Sequence, residues 1–165
     1  MTDMRQLYQE VILDHNRKPR NFGAISNANR HADGHNPLCG DHIKLSMNVL
    51  DDKIDAIAFE GDGCAICNAS ASMMTGAVKG KAVEEAETLV EEFRNMVTGS
   101  LNPDAQSNHL GKLKVFAGVK DLPSRVKCAI LPWHTLHAAL NAEESVSTEG
   151  DADPISDSDL VSDHA

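Results

Sequence analysis

The sequence predicts an α+β chain built as one domain, and three observations carry that reading. Apolar residues alternate with mostly polar ones from His42 onward, a two-residue acidic break follows, and apolar residues recur at helical spacing on either side of this hairpin. With 165 residues, the chain has the size of a single ordinary domain.

The elements follow in order. Residues 3–14 place Leu7, Tyr8, Val11 and Ile12 on one helical face, and the helix is expected to stop before the basic, turn-prone stretch His15–Gly23. Ile43, Leu45, Met47 and Val49 then mark a half-buried strand. Asp51-Asp52 turns the chain, and Lys53–Glu60 returns as a second strand that Gly61-Asp62-Gly63 breaks. Ala65–Lys79 reads as a helix of small residues, able to pack closely. Residues 83–97 form an amphipathic helix with Val83, Ala86, Leu89, Val90, Phe93 and Val97 inward. A loop is expected over 98–111, and a short strand or extended linker over Lys112–Val119. Leu122-Pro123-Ser124 opens a further helical segment. Because Pro132 fits a helix only in its first turn, the last helix is expected to begin near Ala129, with Cys128 at its mouth.

Charge divides the chain into two parts. The net formal charge is −10, yet 142–165 holds eight acidic residues and no Lys or Arg, leaving 17 acids against 15 bases over 1–141. The sequence therefore reads as a nearly neutral domain over 1–141 followed by an acidic, unstructured tail over 142–165, whose composition buries too little surface to offset ordering entropy. Neither part shows the basic face that nucleic acid requires. No apolar run is long enough to cross a membrane, and no signal-peptide pattern opens the chain. A cytoplasmic setting follows as the expectation, and there thiols stay reduced and serve as metal ligands or nucleophiles.

Three cysteines sit in suggestive local settings. Cys39 lies in the turn sequence Asn36-Pro37-Leu38-Cys39-Gly40-Asp41, and an extended backbone would send the Asp41 carboxylate the same way as the Cys39 thiol. Cys64 opens a helix, where free N–H groups and the helix dipole favour a thiolate. Arg125 and Lys127 bring positive charge beside Cys128, which favours a thiolate there too. Three thiolates and one carboxylate suit tetrahedral zinc, and iron as well. Cys67, three residues after Cys64, reads as a packing residue, with a persulfide relay as the alternative. His35 and His42 read as rim residues, and His134 and His137 as surface or partly packed ones.

The segments NPLCGDHIKL (36–45), GDGCAICNASASMMT (61–75) and RVKCAILPWHTL (125–136), together with LYQEVILDHNRKPRNFG (7–23), resemble the signature blocks of the NifU N-terminal/IscU/SufU iron–sulfur assembly family. The resemblance covers roughly residues 4–141. It implies a small antiparallel β-sheet with helices packed on one face and the ligands gathered at one exposed end. It also implies that Cys39, Asp41, Cys64 and Cys128 bind the metal or the cluster.

Two departures favour the SufU branch: Lys127 stands where IscU-like members carry His, and the interval between Cys64 and Cys128 is long, 128 − 64 = 64 residues. A SufU-like protein would hold zinc and accept persulfide sulfur from a SufS-type cysteine desulfurase, at most as a zinc-dependent sulfurtransferase. Cys39 is then the candidate acceptor, Cys128 the alternative, with Arg125 and Lys127 in support. An IscU-like one would be a scaffold building a labile [2Fe–2S] cluster on Cys39, Cys64 and Cys128 for apo-protein acceptors, alongside other Suf-type assembly proteins. A purely structural zinc module is the third reading.

Overall fold

The computed structural model describes the backbone of residues 4–37, 40–141 and 145–147, and side chains from Tyr8 onward within the first two spans. Its elements are α1 (Met4–Arg17), β1 (Arg30–Asn36), β2 (Asp41–Leu50), β3 (Lys53–Asp62), α2 (Ala65–Val78), α3 (Val83–Thr98), a 3-10 helix (Gly111–Asp121), α4 (Pro123–Leu140) and β4 (Ser145–Ser147). The sheet runs β3-β2-β1-β4, antiparallel except for the parallel β1–β4 pair. This is the α+β architecture the sequence predicts.

Register decides which face meets the helices. Gly34, Ala32 and Asn36 of β1 lie level with Ile43, Leu45 and Asp41 of β2, and Leu45 in turn with Phe59 of β3. These side chains are buried beneath α2 and α4. The opposite face carries the polar rows Asp33–Lys44–Glu60 and His35–His42–Asp62. Asp51 and Asp52 both take positive φ, 53° and 63°, making the left-handed two-residue turn that matches the twist of a hairpin.

Helix α2 is the centre of the helical layer. Its run Ala69-Ser70-Ala71-Ser72 is fully buried, as only small side chains allow between α1, α4 and the sheet. Around it, Phe93 stacks on Trp133 with centroids 4.6 Å apart and meets Phe116 edge-on at 5.5 Å, so four aromatic residues including Tyr8 join α1, α3, α4 and the 3-10 helix.

The structure corrects several expectations. Strand β1 has no apolar alternation to announce it, because its helix-facing position is Gly34. A Cβ there would overlap Thr135 Oγ1 and come within 3.1 Å of Leu131 Cδ1, so α4 rests directly on the strand backbone. Helix α1 continues to Arg17, tied down by a 2.7 Å hydrogen bond between His15 Nδ1 and Ser72 Oγ.

Residues 111–121 are a 3-10 helix rather than a strand or linker. Leu110, Leu113, Phe116 and Val119 recur every three residues and are all buried, which matches three residues per turn. The last helix is a single element from Pro123, with Pro132 inside it. Proline removes a backbone donor from the helix, and in the turn before it Ser70 donates to the Ala129 carbonyl at 2.6 Å while accepting from Trp133 Nε1 at 3.1 Å. His134, expected at the surface or partly packed, is buried, at 1% exposure. The tail expected to be unstructured from 142 holds a strand at Ser145–Ser147, where the open edge of β1 offers backbone partners. The rest of that tail lies outside the described residues.

Candidate metal centre

Three donors converge where β2 begins, α2 begins and α4 passes over the end of β1. One oxygen of Asp41 and the Sγ atoms of Cys64 and Cys128 all lie within 4.8 Å of one another. Each arrives for a local reason. Asp41 is the first residue of β2, paired with Asn36 across a turn in which the Gly40 N–H donates to the Asn36 carbonyl at 2.8 Å. Gly40 takes φ +73°, a conformation costly for residues with a side chain. Cys64 is the N-cap of α2, and its sulfur accepts the Cys67 N–H at 3.4 Å. Cys128 lies five residues after Pro123, hence within the second turn of α4 and not at its mouth.

The carboxylate of Asp41 is the organising group. It is 2% exposed; Oδ1 accepts the Cys64 N–H at 2.9 Å, and Oδ2 stands 3.8 Å from Cys64 Sγ. Space for it exists because residue 63 is glycine: a Cβ there would sit 2.7 Å from Asp41 Oδ1. Replacing Gly63 by Ala is therefore expected to displace the carboxylate and weaken zinc binding on the order of tenfold, with thermal stability changed little. A chelator-competition titration checks this, and unchanged affinity would show that Asp41 is held elsewhere.

The two thiols are driven apart in acidity. The hydrogen bond from Cys128, reinforced by the N–H groups of Cys67 and Ile66, lowers the Cys64 thiol to about 6, while burial opposes the shift. Cys128 is raised, first by donating to Cys64 and then by burial and the neighbouring Asp41.

The donor set fits a metal. Tetrahedral zinc with bonds of about 2.0–2.3 Å needs donors about 3.5–3.8 Å apart, which the Asp41–Cys64 separation of 3.8 Å already meets. Cys39, two residues before Asp41 in the sequence, lies outside the described residues. Cys67 is fully buried in the core and stands outside the donor group. His35 and His42 stack on the outer face of the sheet, rings 4.3 Å apart, and no histidine joins the donor group among the described residues. Arg125 is exposed and Lys127 half-buried on the first turns of α4.

Two neighbours escaped the sequence reading. Asn36, 1% exposed, directs its Nδ2 to Cys128 Sγ at 3.9 Å; its place in the turn block was the available signal. Tyr8 was read only as part of an apolar face. Its hydroxyl is buried with no hydrogen-bond partner among the described residues, and burial followed by the nearby Cys64 raises its pKa.

A helix-covered, mainly antiparallel sheet with a thiol–carboxylate donor group at one end defines a small α+β protein with a candidate cysteine-based metal centre. The family model of the NifU-like N terminal domain matches residues 7–142, and the chain belongs to that family. It is 43% identical over 138 residues to the zinc-dependent sulfurtransferase SufU of Bacillus subtilis, covering 84% of this chain and 92% of that protein. It is 41% identical over 140 residues to the iron–sulfur cluster assembly scaffold protein IscU of Streptococcus pyogenes serotype M1, covering 85% and 86%.

Among solved structures, one named as an iron–sulfur cluster assembly scaffold protein for the SUF system of Fervidobacterium islandicum AW-1 superposes with TM-score 0.73 at 38% identity, over 79% of this chain and 94% of that one. A NifU-like N-terminal protein from Brucella abortus, 21% identical, shares the fold with TM-score 0.76 over 85% of this chain and 96% of its own.

Proposed function

We propose that this protein serves iron–sulfur cluster assembly by accepting persulfide sulfur from a SufS-type cysteine desulfurase, with zinc held on Asp41, Cys64 and Cys128 and with Cys39 as the acceptor. The observation that carries this reading is the convergence of one carboxylate and two thiols from three separate elements, the carboxylate being that of Asp41, two residues after Cys39 in the sequence. Its likeness to a protein named as a zinc-dependent sulfurtransferase supports the same choice.

The chemistry asked of the chain is modest. Zinc, when bound, supplies the positive charge that keeps the cysteines deprotonated at neutral pH. The Cys39 thiolate attacks the terminal sulfur of the donor's cysteine persulfide. The donor's S–S bond breaks, its electron pair leaves on the donor's cysteine thiolate, and a new S–S bond forms on Cys39. Asp41, Cys64 and Cys128 hold the centre while Cys39 reacts.

The scaffold reading rests on the relatives named as scaffold proteins. In it the same cysteines hold iron and sulfide as cargo.

Alanine production by a SufS-type desulfurase, with and without the zinc-loaded protein, tests the proposal. A several-fold, zinc-dependent rise that Cys39→Ala removes is the expected result. A rise that survives Cys39→Ala would reject Cys39 as acceptor. No rise, together with iron and labile sulfide reconstituted on the same ligands, would establish the scaffold reading instead.

A further inference from the structure

Helix α1 lays one face on α2. Tyr8, Ile12 and His15 recur at helical spacing, Ile12 is buried, and His15 Nδ1 meets Ser72 Oγ at 2.7 Å. Ser72 stands about two turns along α2 from the N-cap Cys64, and Tyr8 stands about two turns back along α1 from His15. Tyr8 thus holds the α1 position that can face the start of α2, and its hydroxyl has Cys64 as its first electrostatic neighbour, ahead of Arg125 and Cys128.

The ring of Tyr8 is satisfied and its hydroxyl is not. The ring meets Phe116 edge-on, centroids 6.0 Å apart, while the hydroxyl oxygen is buried with no hydrogen-bond partner among the described residues. A buried group left in that condition costs about 1–3 kcal/mol. Phenylalanine would present the same ring to Phe116 without the cost. A hydroxyl at this place therefore points to a partner gained in another state of the protein.

A ligand thiolate is such a partner. Asp41, Cys64 and Cys128 bring three negative charges to a zinc ion carrying two, which leaves negative charge in excess at the centre. The donors already present are weak ones: Asn36 Nδ2 stands 3.9 Å from Cys128 Sγ, and the Cys67 N–H reaches Cys64 Sγ at 3.4 Å. A phenol titrates near about 10 and is a donor at neutral pH. Its hydrogen bond to an anionic acceptor is roughly twice as strong as one between neutral groups.

We propose that Tyr8 is a positioning residue of the metal centre, its hydroxyl donating to the Cys64 sulfur when zinc is bound. The proposal rests on the metal-centre reading. It couples the seating of α1 to the metal, because the hydroxyl is a cost to the metal-free fold and a tie in the loaded one.

Tyr8→Phe keeps the ring on Phe116 and removes only the hydroxyl. The metal-free variant is expected to melt at the wild-type temperature or above it. Its zinc affinity by chelator competition is expected to fall about tenfold, the low end for partners that orient a ligand. In the cobalt-substituted protein the sulfur-to-cobalt charge-transfer band is expected to move to longer wavelength, since a thiolate relieved of a hydrogen bond gives up electron density more readily. Unchanged affinity with an unmoved band would overturn the proposal. So would a metal-free variant that melts well below the wild type, for the hydroxyl would then serve the fold alone.

Tyr8 is the only tyrosine in the chain, which allows a second measurement with the hydroxyl in place. Fluorotyrosine incorporated there is expected to show its fluorine resonance displaced in proportion to added zinc, and an unmoved resonance would again overturn the proposal. A wild type that binds neither zinc nor cobalt would reject the metal-centre reading itself. A wild type that binds both, beside an indistinguishable Tyr8→Phe, would reject Tyr8 alone.

Discussion

Replacing Cys64 with Ser is expected to weaken zinc binding by more than about a hundredfold, since loss of a partner merely adjacent to a ligand already costs about 10–100-fold. Serine keeps the N-cap role that Cys64 plays for α2, accepting the N–H of Cys67, so the fold should survive while the centre does not. Cys128→Ala should lose zinc equally. It also strips Asn36 Nδ2 of its buried sulfur partner, so a drop of about 1–3 kcal/mol in stability is expected with it.

Cys67→Ala provides the internal comparison. Its side chain is fully buried three residues from Cys64 yet outside the donor group, so it should cost core packing while leaving one zinc per chain. Elemental analysis with chelator competition reads all three. Wild-type affinity in the Cys64 variant, or zinc lost from the Cys67 variant, would reassign the donors.

The largest purely structural effect is expected at Gly34→Ala. The added Cβ would overlap Thr135 Oγ1, and that side chain is pinned by its 2.8 Å hydrogen bond to the Leu131 carbonyl. Helix α4 must then lift from β1, at a cost of about 1–3 kcal/mol as for other overpacked sites. Because Cys128 rides on the same helix above Asn36, the lift should loosen zinc as well. Trimming the opposing group in a Gly34→Ala/Thr135→Ala double variant should restore part of the stability. Urea midpoints of the three variants check this, and an unaltered midpoint in Gly34→Ala would show that the contact is soft.

Much of this was legible in the residues, and the exceptions are instructive. The β2–β3 hairpin and helix α3 announce themselves because one face of each is apolar and the other polar, at periods of two and of about 3.6. Strand β1 does not: its contribution to the interface is the absence of a side chain at Gly34, which no hydrophobic pattern registers. The 3-10 helix has neither of those periods, since its buried Leu110, Leu113, Phe116 and Val119 recur every three residues. Pro132 misled for another reason. Its helix runs on without a break, and Ser70, 62 positions earlier in sequence (132 − 70), donates to the Ala129 carbonyl in the turn before the proline. At the centre, residue types made Asp41, Cys64 and Cys128 candidates along with Cys39, and the family resemblance joined them into one ligand set. The glycine that seats the carboxylate and the asparagine that meets Cys128 became visible only once the chain was folded.

The spacing of the donors has a further consequence in the language of polymer loops. An ion shared by Asp41, Cys64 and Cys128 closes one loop of 23 residues (64 − 41) and another of 64 (128 − 64). Clasping a chain at such points removes conformations chiefly from its unfolded ensemble, about 3 kcal/mol for the shorter loop and about 4 for the longer on the scale of covalent cross-links. The same ion that would serve sulfur chemistry would therefore also act as a reversible stitch, fastening the sheet to the first and last of the helices that follow it.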